Sequence, residues 1–180
     1  ISEGTKKAIN AYMDMDNKVY GSMVNLSARG GIVTQQFADS QIAQYEAMAA
    51  KIQTSMDTDH AKRIEKTKAL FATNGALSDE EKELALKKMD DDHANKKMRI
   101  EEYVRKISEI ENRASKEKRD LTESEKRTVN GIRENMRVMA VKNLSESEAE
   151  QKMILGRMKN DASKLSAQQA ADVVKNSATQ

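Results

Sequence analysis

The sequence contains no proline, no cysteine and no tryptophan, and aromatic residues make up only 3% of its 180 positions. Each absence excludes something. Without cysteine no disulfide can staple the chain. Without proline the strongest helix breaker is gone. With so few large rings, the usual filler of a compact core is missing. No stretch approaches the roughly 18 consecutive apolar residues that cross a bilayer as a helix. What remains is a set of Ala, Met, Ile, Leu and Val among charged residues that total 33%. That mixture favours long helices packed through narrow apolar seams, an all-α fold. The 31 basic and 29 acidic residues leave a net charge of +2, too balanced to argue for nucleic acid or an anionic membrane.

One short cassette recurs. Leu121-Thr122-Glu123-Ser124-Glu125 is echoed by Leu77-Ser78-Asp79-Glu80-Glu81, by Leu144-Ser145-Glu146-Ser147-Glu148 and, loosely, by Leu165-Ser166-Ala167-Gln168-Gln169. Each copy reads as a helix start. The hydroxyl accepts from the backbone N–H three residues on, and the Glu or Gln there reaches back to the cap N–H. The preceding Leu stands where a hydrophobic staple begins. Its partner position holds Ala149 and Ala170 in the last two copies but Lys82 and Lys126 in the first two. The caps recur after 44, 23 and 21 residues, which favours separate helical units over one bent helix.

Between these starts run apolar seams with heptad rhythm. Residues 1–28 carry Ala8, Tyr12, Met15, Val19, Ser22 and Leu26, and Gly30-Gly31 then breaks the helix. A second seam holds Ala38, Ile42, Tyr45, Ala49, Ile52 and Met56. It then slips, and a step through His60 restores its phase, as a stutter does. Thr73-Asn74-Gly75 should end that helix, with Gly75 as its cap. A third helix from Ser78 to about Arg119 carries Leu86, Met89, His93, Lys96, Ile100, Tyr103, Ile107, Ile110 and Ala114. Opposite charges four apart, such as Glu101 and Arg105, line its outside. At about 60 Å long it needs a partner along its seam, and the second helix, folded back at 73–78, is the obvious one. A fourth helix from Thr122 carries Val129, Ile132, Met136 and Met139; a fifth starts at Ser145 and a sixth at Ser166. The expected architecture is an elongated antiparallel helical hairpin or coiled coil followed by shorter helices. Only 17 charged residues fall in 1–75 but 43 in 76–180, which divides the chain into an Ala/Met-rich segment, 1–75, and a charged one, 76–180.

No catalytic, cofactor-binding or metal-binding residue is assigned. Asp90-Asp91-Asp92-His93 has ligand residue types, but consecutive helical residues point about 100° apart and do not converge on one ion. His60 and His93 read as ordinary seam positions; in the right hairpin register they would meet as a pH-sensitive pair. Gly30-Gly31 lacks the further glycines and the Lys of a phosphate loop. Lys62-Arg63, Lys66, Lys68 and Lys96-Lys97-Arg99 have no aromatic platform beside them and read as solvated faces. Met13, Met15, Met23, Met48 and Met56 lie on or near seams and read as core filling rather than as a binding groove.

Several phrases have a familiar ring. Lys118-Arg119-Asp120-Leu121-Thr122-Glu123-Ser124-Glu125, Ile132-Arg133-Glu134-Asn135-Met136 and Ala140-Val141-Lys142-Asn143-Leu144-Ser145-Glu146-Ser147-Glu148-Ala149-Glu150-Gln151-Lys152 resemble tail tape-measure proteins of long-tailed phages and prophages of Gram-positive bacteria. Ile154-Leu155-Gly156-Arg157-Met158-Lys159, Gln169 to Ser177 and the opening Gly4 to Met13 extend the resemblance over most of the chain. It implies a segment of a longer protein, in keeping with a start at Ile1 rather than Met. Such a protein sets tail length during assembly, lies in the tail lumen of the virion and leaves ahead of the DNA. The implied partners are copies of the chain through its seams, the tail tube and tail assembly chaperones in the host cytoplasm. No specific nucleic acid is implied, and membrane contact only during DNA injection. No catalytic residue carries over. Two other classes fit the helical pattern: a membrane-active module in DNA delivery, suggested by the Gly-interrupted region 1–75, and a coiled-coil docking module of a cytoplasmic bacterial protein.

Overall fold

A computed structural model describes residues 3–73 and 75–144 and shows an all-α chain, with no strand among the described residues. Four helices follow in order: α1 (Glu3–Ala28), α2 (Gln35–Thr73), α3 (Asp79–Lys116) and α4 (Glu123–Leu144). The expected helices from Ser145 and Ser166 lie outside the described residues.

Local chemistry sets the helix ends. Gly30, at φ 99°, closes α1 with paired bonds from its own N–H to Ser27 O and from Gly31 N–H to Leu26 O. Thr34, which the sequence reading passed over, starts α2: its hydroxyl accepts from Phe37 N–H at 3.1 Å. Ser78 and Glu81 form both halves of a capping box at α3. So do Thr122 and Glu125 at α4, at 2.8 and 3.1 Å. α3 stops at Lys116, three residues short of the expected Arg119, because Lys118 turns left-handed at φ 52°. There Arg119 N–H reaches Ala114 O and Lys118 N–H reaches Ser115 O. α2 ends at Thr73, at the expected Thr73-Asn74-Gly75 stop.

α2 packs against each of the other three helices, α4 packs on α1 and α3, and among the described residues α1 does not meet α3. Contacts between α2 and α3 run in opposite sequence directions, from Gln35 with Ser115 to Asp57 with His93 and His60 with Asp90. The core lies where all four helices gather. It is built on Tyr12 and Met13 of α1, Tyr45 and Ile52 of α2, Ile107 of α3 and Met136 of α4. Between Met56 and Ile100 no described residue is buried.

The seams are wider than heptads and partly displaced. On α1, Tyr12 and Val19 are buried as expected, but Met15, Ser22 and Leu26 are half-buried, and Ile9, Met13 and Asp16 join the buried stripe. On α2, Ile42 is half-buried while Gln41 and Met48 are fully covered. The cause is shared: α1 faces two helices and α2 three, so each buries a broad stripe rather than one line of a and d positions. On α3, Lys96 is exposed and Lys97 takes the inward place, its Nζ 3.1 Å from Asp57. Arg105, expected against Glu101, reaches Glu102 at 2.7 Å and Glu109 at 4.0 Å. Met13, Met48 and Met56 fill the core, and Met15 and Met23 pack against it.

Candidate functional site

Three polar clusters stand out, each built by more than one element. The first joins α1 to α4. Asp16 is completely buried on the core side of α1. Arg133 donates to its Oδ1 from Nε at 3.1 Å and from Nη2 at 3.0 Å, and Arg137 donates to its Oδ2 at 3.1 Å. Burial, the largest influence, opposes the Arg133 charge, but Asp16 and the Tyr45 and Tyr12 phenols together hold the guanidinium above its ordinary pKa. Arg133 also lies 5.7 Å from the Tyr20 ring centroid. Tyr12 and Tyr45 sit nearby with buried hydroxyls that have no hydrogen-bond partner among the described residues. Burial pushes both phenols well above their ordinary range, with the Asp16 charge adding to it. With its carboxylate fully covered and its two arginines largely so, this cluster ties α1 to α4.

The second cluster joins the two loops. Val33 N–H donates to Arg119 O at 3.0 Å, and Asp120 packs over Gly31. Asp120 accepts from Leu121 N–H at 2.7 Å and from Lys126 Nζ at 3.1 Å. The lysine that spoils the staple position behind Leu121 therefore finds an ionic partner instead. Arg119 binds both Glu125 oxygens, at 2.7 and 3.3 Å. That contact, with the Thr122 N–H, draws the Glu125 carboxyl down to about 2. Beneath them Glu111 is buried, and one of its oxygens has no partner among the described residues. Burial, reinforced by Glu125 and Asp120, raises its carboxyl to about 7.

The third cluster is at the middle of the α2–α3 pair. The His60 and His93 rings stack with centroids 4.1 Å apart and planes 3° from parallel. His60 Nε2 lies 2.7 Å from Asp90 Oδ1, and His93 Nε2 lies 2.8 Å from Asp57 Oδ1. Asp57 also receives Lys97, and these bonds lower its carboxyl pKa. Of the Asp90–His93 run, Asp90 and His93 thus bond to α2, Asp90 from an exposed position, and Asp92 lines the groove beside the rings. Parallel rings aim their nitrogens along parallel lines, so they do not converge on one ion. Among the described residues no group of His, Cys, Asp and Glu is placed to hold a metal.

No known protein family, curated protein or solved structure matches the chain.

Function therefore has to be read from the chain itself. A groove of about 120 Å³ runs beside the histidines between Met56, Arg63, Met89 and Lys96. A broader depression of about 520 Å³ is lined from α3 alone, by residues such as Asn95, Met98 and Arg105, so no second element converges on it. Among the described residues no helix is long and apolar enough to cross a membrane. The residues expected on seams, His60 and His93, are brought together. Asp16, Arg133, Arg137 and Glu111 were not singled out in the sequence, because a lone charge on an amphipathic helix looks solvated wherever its partner lies far along the chain.

Proposed function

We propose that the chain is a structural segment of a phage tail tape-measure protein, setting tail length and occupying the tail lumen before DNA ejection. The observation that carries this reading is the sequence resemblance centred on the capped phrase from Lys118 to Glu125. Two features of the fold support it. The same phrase forms a working helix start, with Thr122 and Glu125 bonded reciprocally and Arg119 locked onto Glu125. The α2–α3 pair, with opposed sequence directions from Gln35–Ser115 to His60–Asp90, fits an elongated antiparallel hairpin of the coiled-coil kind. On this reading the chain acts by length and packing rather than by catalysis. Its partners are further copies of itself, the tail tube and assembly chaperones.

The test is composition of the particle. Tails purified from the phage or induced prophage whose genome encodes this chain are digested and analysed by mass spectrometry. Peptides covering 35–116, present in a few copies per tail and lost after DNA ejection, are the expected result. Intact tails without such peptides contradict the proposal.

A further inference from the structure

Between Met56 and Ile100 no described residue of the α2–α3 pair is fully buried, and its limbs meet there through half-buried apolar side chains such as Ile64, Phe71, Leu86 and Met89, which hold less firmly than the core. The closest polar linkage across that stretch is the stacked histidine pair and its two aspartates. An ionised aspartate only accepts hydrogen bonds, so each Nε2 carries the hydrogen and each Nδ1 is the nitrogen that takes up a further proton. The charged groups facing the pair are Asp57, Asp59 and Arg63 from α2 and Asp90, Asp92, Lys96 and Lys97 from α3. They comprise four carboxylates and three cations. A first proton on the rings makes this cluster neutral and sets an imidazolium against a neutral ring flanked by carboxylates. A second makes the cluster net positive and sets two like charges face to face at 4.1 Å.

We propose that His60 and His93 form a proton-gated clasp on the α2–α3 pair. It stays closed with no proton or one proton beyond the neutral rings, and it opens on the second, releasing residues 57–97 while the four-helix core stays packed. The inference does not depend on the tape-measure reading. It makes the outer half of the helix pair sensitive to acid.

The test combines two measurements on the 180-residue chain. Hydrogen exchange, corrected for intrinsic rates, is followed from about pH 8 to pH 5. Peptides from 57–73 and 79–97 should exchange about tenfold faster at the acid end, while those from 38–52 and 100–114 should not change. The double variant H60F/H93F keeps a ring stack that takes no proton and should lose the acid response. An equal acid response in that variant assigns the effect to the carboxylates and overturns the proposal, as does unchanged exchange in the wild type. An NMR contact between the two imidazole rings of the wild type needs no variant. It should be present at about pH 8 and lost at about pH 5, and a contact that persists at the acid end contradicts the clasp.

Discussion

Arg133 on α4 grips the fully buried Asp16 on α1 through two hydrogen bonds, at 3.1 and 3.0 Å, across 117 positions of sequence. Arg137 completes the carboxylate from one turn further along α4. Removing the anion alone leaves two guanidinium groups facing each other in the interior. Asp16→Leu should therefore cost about 3–5 kcal/mol in thermal or denaturant unfolding. Adding Arg133→Met and Arg137→Met should recover most of that loss, since an apolar set of similar volume carries no desolvation penalty. A single variant with unchanged stability would show that the cluster does not hold α1 on α4.

Glu111 makes stability depend on pH. Its folded pKa, about 7, stands above the ordinary 4.5, so the folded chain holds this proton more tightly than the unfolded chain. The contribution is complete below pH 4.5 and disappears as pH rises through 7. The shift corresponds to about 3 kcal/mol. Glu111→Gln, which cannot ionise, should flatten the profile between those limits and leave the variant more stable than the parent at pH 8. Chemical denaturation across that range checks it; a parent profile that rises from pH 5 to 8 while the variant's stays flat contradicts it.

The α4 cap carries the opposite pH sign. Glu125 is held down to about 2 by Arg119 and the Thr122 N–H, so its contribution is present above pH 4.5 and fades as pH falls towards 2. Thr122→Ala should cost about 1 kcal/mol, because α4 packs into the core and its first turn has to form with it. Ser78→Ala breaks the same kind of box where α3 buries nothing, so hydrogen exchange should show local fraying near residues 79–82 with little change in melting temperature. Equal losses of global stability in the two variants would contradict this difference.

Gly31 is the most crowded of the described glycines. At φ 79°, a Cβ there would lie 2.6 Å from Asp120 Oδ2 and 2.8 Å from its Cγ. Gly31→Ala should destabilise by more than the about 1 kcal/mol expected from left-handed backbone alone. Gly30 has an open surround at φ 99°, so Gly30→Ala should show only that backbone cost. Asp120→Ala should relieve part of the Gly31→Ala defect. Melting curves of the three single variants and the double decide it, and equal effects of the two glycine substitutions would rule out the loop contact.

What could be read in the sequence was local or periodic. The box at Thr122 needs residues three apart, and Tyr45, Ala49, Ile52 and Met56 repeat on one face of α2. What could not be read depends on distant partners. Asp16 looks like any surface charge until α4 returns to it. Lys97, not Lys96, faces inward because it stands about one turn from both His93 and Ile100 and its long stem carries the Nζ to Asp57. The stacked pair was half legible. His60 and His93 fell on the two seams, but their meeting depends on a register fixed by the turn between α2 and α3. The Glu111 pKa is likewise invisible in sequence, because it comes from burial beneath Asp120 and Glu125.

If the chain sets tail length, adding or removing helix should change that length. Deleting residues 35–116 in frame from its gene removes both limbs of the α2–α3 pair, which is about 57 Å long at the usual rise for the 38 residues of α3. Duplicating the same segment adds as much. Electron microscopy of purified tails should show a shortening of that order in the first case and a matching lengthening in the second. Tails of unchanged length in both would contradict the tape-measure role.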